Sequence, residues 1–190
     1  PFIMGSQLTQ LTPGQGLITQ QLQPQNNTNP PIAFTMANDI YYAYFNNPNN
    51  SVQLTDDGHF TSALNKIFNR YPSYSRDGSL LAFNKNSDLY IVNGTGGVSQ
   101  LLVPFAFQPS WSPDGNYIAY SGWDGSTSQI FIVEVANPNN IRQLTTMRSA
   151  EHPSWSPAGN TILFSSRLSS GSYDIFGITF DENTVSIPIN

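Results

Sequence analysis

Pro109-Ser110-Trp111-Ser112-Pro113-Asp114-Gly115 decides the fold, because it recurs as Pro72-Ser73-Tyr74-Ser75-Arg76-Asp77-Gly78 and as Pro153-Ser154-Trp155-Ser156-Pro157-Ala158-Gly159. Each copy runs into a short apolar strand: Leu81-Ala82-Phe83, Ile118-Ala119-Tyr120 and Ile162-Leu163-Phe164, with Ile32-Ala33-Phe34 as a fourth. A second anchor follows at Asp39-Ile40-Tyr41, Asp88-Leu89-Tyr90, Gln129-Ile130-Phe131 and Asp174-Ile175-Phe176, at steps of 49, 41 and 45 residues. The units close on polar and apolar residues in alternation: Val52-Gln53-Leu54-Thr55, Gln100-Leu101-Leu102, Ile141-Arg142-Gln143-Leu144-Thr145 and, more loosely, Val185-Ser186-Ile187.

The unit has a physical logic of its own. Ser-Pro-Asp-Gly sets Pro and Gly where a tight turn must fix one φ and permit a positive one, with Asp able to accept from backbone N–H groups. That turn joins the first strand of a unit to the second. Trp111 and Trp155 fall on the innermost strand, where a large ring fills the wedge between neighbours, so both are read as core. Four short strands repeating at this period are the blade of a β-propeller. The expected fold is all-β, a propeller of about four four-stranded antiparallel blades over residues 13–55, 56–102, 103–145 and 146–190.

With these residues in view, the repeat resembles the TolB-type propeller family over about residues 13–190. The match is close in units three and four. It is weaker in unit two, where Tyr74 and Arg76 replace Trp and Pro, and poor in unit one, where residues 16–24 stand in place of the signature. The resemblance implies a propeller fold and a non-catalytic scaffold that binds protein or peptide partners. The same repeat also caps prolyl-oligopeptidase-like hydrolases, so the alternative is the propeller part of a larger enzyme of that kind.

One closing strand is left over. Gln7-Leu8-Thr9 and Gln10-Leu11-Thr12 both match the last strand of a unit, although the fourth unit already has a candidate at residues 184–189. Residues 1–12 are therefore expected to complete a blade and hide a sheet edge. Four blades is at the small end for propellers, and an open arc would expose two apolar blade faces. The ring either closes at four, belongs to a longer chain, or is completed by a second copy; a homo-oligomer or a fragment of a longer chain is favoured over a self-sufficient ring.

Composition narrows the function classes. Only 10% of the 190 residues are charged, against roughly 25% in a typical globular protein, so the surface is neutral and polar. A net charge of −5 gives no footprint for nucleic acid or an anionic membrane. No apolar run is long enough to span a bilayer, and no signal segment opens the sequence as given. The absence of cysteine removes disulfides and thiol chemistry. An Asn- and Ser-rich surface, with acceptor triplets at Asn26, Asn49 and Asn93, suits an exported protein, periplasmic or extracellular.

Function is expected on the end of the propeller opposite the Asp-Gly turns, where the connecting loops vary. Between units one and two, Phe60, Leu64, Ile67 and Phe68 recur at helical spacing and predict a short amphipathic helix over that end. The same end collects His59, Phe60, Arg70, Trp123, Asp124, Arg148, Glu151, His152, Arg167 and Tyr173 as candidate partner-binding residues. Trp123 stands out because it lies in the Gly122-Trp123-Asp124-Gly125 loop, where an exposed aromatic can anchor a partner. Arg148, Glu151 and His152 sit close in sequence, but acid-base catalysis is set by geometry and adjacency is no signature. No nucleophile elbow or His-Glu-x-x-His pair is present. Asp39, Asp88 and Asp174 read as a repeated strand-start contact rather than a metal ring. No enzyme activity, metal or cofactor is expected; a glycan-binding or structural surface role is the remaining alternative.

Overall fold

The computed structural model describes residues 31–44, 46–58, 60–62 and 65–181. The first sheet comprises β1 (Ile32–Met36), β2 (Asp39–Tyr44) and β3 (Asn47–Gln53), and a small hairpin of β4 (Phe60–Ser62) and β5 (Asn65–Lys66) follows. The second sheet is β6 (Asn69–Tyr74), β7 (Leu80–Lys85), β8 (Asp88–Asn93) and β9 (Gln100–Val103). β10 (Ala106–Trp111), β11 (Tyr117–Trp123), β12 (Ser128–Glu134) and β13 (Asn137–Gln143) make the third. The fourth is β14 (Ala150–Trp155), β15 (Thr161–Arg167) and β16 (Tyr173–Thr179). Neighbours pair antiparallel and in chain order throughout, which is the meander of a propeller blade. Residues 1–12, 16–24 and 184–189, and His59, lie outside the described residues.

The turns form for the reasons their residues suggest. Gly78, Gly115 and Gly159 donate their N–H groups to Ser75, Ser112 and Ser156 carbonyls at 2.9, 3.0 and 2.9 Å, closing three equivalent four-residue turns. All three glycines have positive φ, from 72° to 83°, which a side chain would strain. In the first two turns the Asp accepts from the preceding Ser hydroxyl and from the following backbone N–H. A second repeated contact starts the third strand of each blade. The side chains of Asp39, Asp88 and Gln129 accept from Gly58, Phe105 and Met147 N–H, tying each blade to the segment that leads to the next. Asp174, at the equivalent position, accepts from its own neighbour Ile175.

The core lies between blades rather than within one. Ile40, Tyr42, Leu81 and Phe83 join the first two blades; Leu89, Trp111, Ile118 and Phe131 the second and third; Ile130, Ile132, Trp155 and Ile162 the third and fourth. Trp111 and Trp155 are buried as expected. The Trp111 indole N–H crosses to the Ser73 carbonyl of the preceding blade at 2.8 Å, and the Trp155 backbone N–H reaches Ser110 Oγ at 2.9 Å.

The helix expected over residues 60–68 is absent. Phe60–Ser62 and Asn65–Lys66 pair antiparallel instead, in register Phe60↔Lys66 and Ser62↔Asn65. A nine-residue helix gains too few intrahelical bonds to form without tertiary support. Phe68 is also committed elsewhere, because its N–H donates to Asn86 Oδ1 and its carbonyl accepts from Asn86 N–H across the β7–β8 turn. The spacing that suggested a helix therefore belongs to two extended pieces.

Candidate functional site

Three innermost strands share a feature that shapes the channel wall. In β6, β10 and β14 the strand register slips between Arg70 and Ser73, Phe107 and Ser110, and Glu151 and Ser154. At each slip a residue before proline takes a left-handed backbone: Tyr71 at φ 53°, Gln108 at 56° and His152 at 56°. Left-handed geometry is costly for a residue with a side chain, and bulges of this kind re-aim side chains. At Gln108 and His152 the bulge turns the N–H outward to the neighbouring blade. Gln108 N–H donates to Asn84 Oδ1 at 2.8 Å, and His152 N–H to Ser121 Oγ and Gln108 Oε1, both at 3.1 Å.

The bulges bring Tyr71, Gln108 and His152 around one open cavity of about 280 Å³, walled by Pro72, Pro109 and Pro153. Ser73 and Ser110 connect it to a second cavity of about 380 Å³, lined by Tyr74, Arg76, Trp111 and Trp155. Arg76 closes its far end by donating to the Pro157 carbonyl at 3.3 Å. The two cavities form a groove along the channel wall, from the variable loop end to the Asp-Gly turns.

At the loop end the expected residues form a rim on blades three and four. Trp123 ends β11 and is 65% exposed; Tyr173 begins β16 and is 58% exposed. Arg167 pairs with Tyr173 across the ladder, and its Nε donates to the Gly171 carbonyl. The exposed Arg148 is fixed through its carbonyl, which accepts from Thr127 Oγ1 at 2.6 Å and so ties the Trp123 loop to the next blade. Arg70 stands apart on blade two, with its guanidinium 4.5 Å from the Phe68 ring centroid. Phe60 is placed only as the first residue of β4.

Asp124 is spent on its own loop. Its carboxylate accepts from Thr127 N–H and from Ser126 N–H and hydroxyl, and these bonds hold its pKa below the ordinary value. Glu151 accepts from Ser149, while the His152 imidazole contacts Ser165 Oγ at 3.3 Å. Ser165 in turn donates to the Glu151 carbonyl, so the pair is not arranged as a nucleophile with its base. Among the described residues, no group of three or more His, Cys, Asp or Glu could hold a metal ion. No helix among them is long and apolar enough to cross a membrane.

The sequence reading missed Tyr71, Gln108 and Phe105. Phe105, 70% exposed, precedes β10 and lies opposite Trp123 when the β10–β11 register is continued by one residue. The signal for the cavity is the position before Pro72, Pro109 and Pro153, repeated in every signature and occupied by a different residue each time.

No family model and no curated protein matches the sequence. Solved structures do. A TolB from Agrobacterium tumefaciens aligns with a TM-score of 0.65 at 22% identity, over 83% of this chain and 60% of that one. The TolB of Acinetobacter baumannii aligns with a TM-score of 0.59 at 15% identity, over 82% and 40%. A chain of the nidogen/laminin complex gives 0.57 at 8% identity, over 83% and 64%. The chain thus spans 60% of one TolB structure and 40% of the other, and at these identities the likeness concerns the fold. Four blades meeting through aromatic wedges, with the short glycine turns on one end and TolB structures as neighbours, show that this chain has the fold of a partial β-propeller like that of the TolB structures.

Proposed function

We propose that the protein is a non-catalytic scaffold that binds a protein or peptide through the loop end of its propeller, with the aromatic rim as anchor and the bulged groove as the path into the channel. The supporting observation is the exposure of Trp123, Tyr173 and Phe105 at one end, beside a channel mouth where Tyr71 is 48% exposed. Isolated large aromatics cost little to leave in water one at a time, but several around one mouth are what binding surfaces concentrate. The Asp-Gly end offers short turns whose polar groups bond one another. A low-charge surface suits work outside the cytoplasm, and the scaffold is read as exported.

The reading is tested by selecting peptides from a displayed random library on the immobilised protein. Binders should lose affinity at least tenfold on Trp123→Ala with Tyr173→Ala, and keep it on Asn116→Ala at the opposite end. Selected peptides indifferent to the rim, or sensitive to Asn116, would overturn it.

A further inference from the structure

The groove along the channel wall is uneven in charge. Among the described residues that line it there is no Asp or Glu, although the chain carries 12 acidic residues against 7 basic ones. Its one permanent cation is Arg76, exposed at the far end, where Nη1 donates to the Pro157 carbonyl at 3.3 Å. A guanidinium holds five N–H donors in a rigid fork, and that single bond leaves the others to a ligand. Asp77, its neighbour in sequence, is committed to its own turn, accepting from the Ser75 hydroxyl and from the Ser79 N–H and hydroxyl. Lys85 makes an ion pair with Asp57; Arg76 makes none with a described residue.

Arg76 also breaks the repeat. Pro113 and Pro157 fill the same place in the other two signatures, where a proline presets the φ of the turn. Unit two gives up that preorganisation and still makes the turn, since Gly78 N–H donates to the Ser75 carbonyl as its counterparts do. A local preference abandoned without loss of the fold points to a use outside the turn. Midway along the groove, Ser73 lines both cavities, and its hydroxyl bonds no other described residue. The inner strand β10 is six residues long, so an extended peptide of about six residues runs the groove from the rim to Arg76.

We propose that the groove takes an extended peptide carboxylate-first, with the carboxylate received by the Arg76 guanidinium and the chain passing Ser73 back to the aromatic rim. This rests on the peptide-binding reading above and adds the chemistry of the leading group. A carboxylate matches the guanidinium fork with two parallel N–H···O bonds, and no acid in the groove competes for it. The α-carboxylate of a chain terminus and the side chain of Asp or Glu present the same two oxygens, so either is a source of the group.

Retention of soluble octapeptide pools by the immobilised full chain tests it. Three pools share random sequences free of Asp and Glu: one ends in a free carboxylate, one is amidated, and one is amidated after a final Asp. The wild type should retain the free-acid pool, the Asp pool or both about tenfold or more over the amidated pool, and the pool retained identifies the source of the carboxylate. Arg76→Gln should bring every pool to the amidated level, whereas Arg76→Lys should keep part of the preference. Arg76→Pro installs the residue of the other two signatures, so its thermal melt should match the wild type while the preference is lost. Acid pools retained no better than the amidated one, or a preference that survives Arg76→Gln and Arg76→Pro, would overturn the proposal; if Trp123→Ala with Tyr173→Ala still lowers retention in that case, the rim reading stands without it. Retention of no pool by the wild type sinks both.

Discussion

Trp111→Ala is the sharpest test of the wedge between blades two and three. The indole is 7% exposed, packs in the cluster that joins those blades, and donates to Ser73 O. A ring of this size buries about 200 Å², which at about 25 cal/mol per Å² is worth about 5 kcal/mol. Compact unfolded chains already bury part of that area, while the cavity left behind adds to the loss, so the net cost should be about 3 to 5 kcal/mol. For a chain of this length that lowers Tm by about 6 to 20 °C. Trp111→Phe should cost about 1 to 2 kcal/mol, since a ring remains but the Ser73 carbonyl loses its partner. The contrast is Trp123→Ala, where a largely exposed ring should change stability by less than about 1 kcal/mol. Urea unfolding followed by far-UV circular dichroism measures all three without relying on tryptophan fluorescence. If Trp111→Ala falls within 1 kcal/mol of the wild type, or if Trp123→Ala costs as much, the assignment of one ring to the wedge and the other to the surface is wrong.

Other perturbations isolate single causes. Gly58→Ala should cost about 2 to 3 kcal/mol by urea unfolding, because a Cβ there would stand 2.1 Å from the Asn38 carbonyl oxygen; Gly115→Ala meets no atom within 4 Å and should cost only the left-handed backbone, about 1 kcal/mol. Asn84→Ala should lower stability by about 2 to 4 kcal/mol, since the buried amide donates to the Ala106 and Asp88 carbonyls and accepts from Gln108 N–H. Ser121→Ala, which removes a hydroxyl sharing its donor with Gln108, should cost less, as the same unfolding curves would show. The Ser75 hydroxyl and Ser79 N–H hold the Asp77 carboxyl below its ordinary pKa; for Asp114, burial pushes up but the bonds from Ser112 and Asn116 outweigh it. Both groups bind protons more weakly folded than unfolded, so their contribution is complete above about pH 4 and is lost as pH falls through the depressed values. Thermal melts from pH 6 to pH 2 should show a shallower acid limb in Asp114→Asn.

What was legible in the sequence is what repeats and what turns. Ser112-Pro113-Asp114-Gly115 announces its turn because Pro and Gly each permit one backbone geometry, and Trp111 and Trp155 announce the wedge because rings of that size are seldom left in water. The helix over residues 60–68 was misread because apolar residues at intervals of three and four fit two short extended pieces as well as one helical stripe. The channel wall was illegible for a different reason. A residue before proline ordinarily extends, so nothing local signals that Tyr71, Gln108 and His152 turn left-handed; for Gln108 and His152 the turned N–H is met by Asn84 and Ser121 on the preceding blade. At the rim, Trp123 and Tyr173 were recognisable as loop aromatics, whereas Phe105 was hidden among the apolar residues of a strand start.

Each junction is half prepared by the earlier blade. Asn84 accepts from Gln108, Ser121 from His152, Ser73 from Trp111 and Ser110 from Trp155, while Asn84, Thr127 and Arg76 donate forward to the Ala106, Arg148 and Pro157 carbonyls, so in each pair one partner has left the ribosome before the other. A nascent blade therefore emerges onto a finished template whose donors and acceptors already await it. Addition in the order of synthesis keeps the unsatisfied surface to a single blade face at a time, which limits the period during which an elongating chain can mispair with its neighbours.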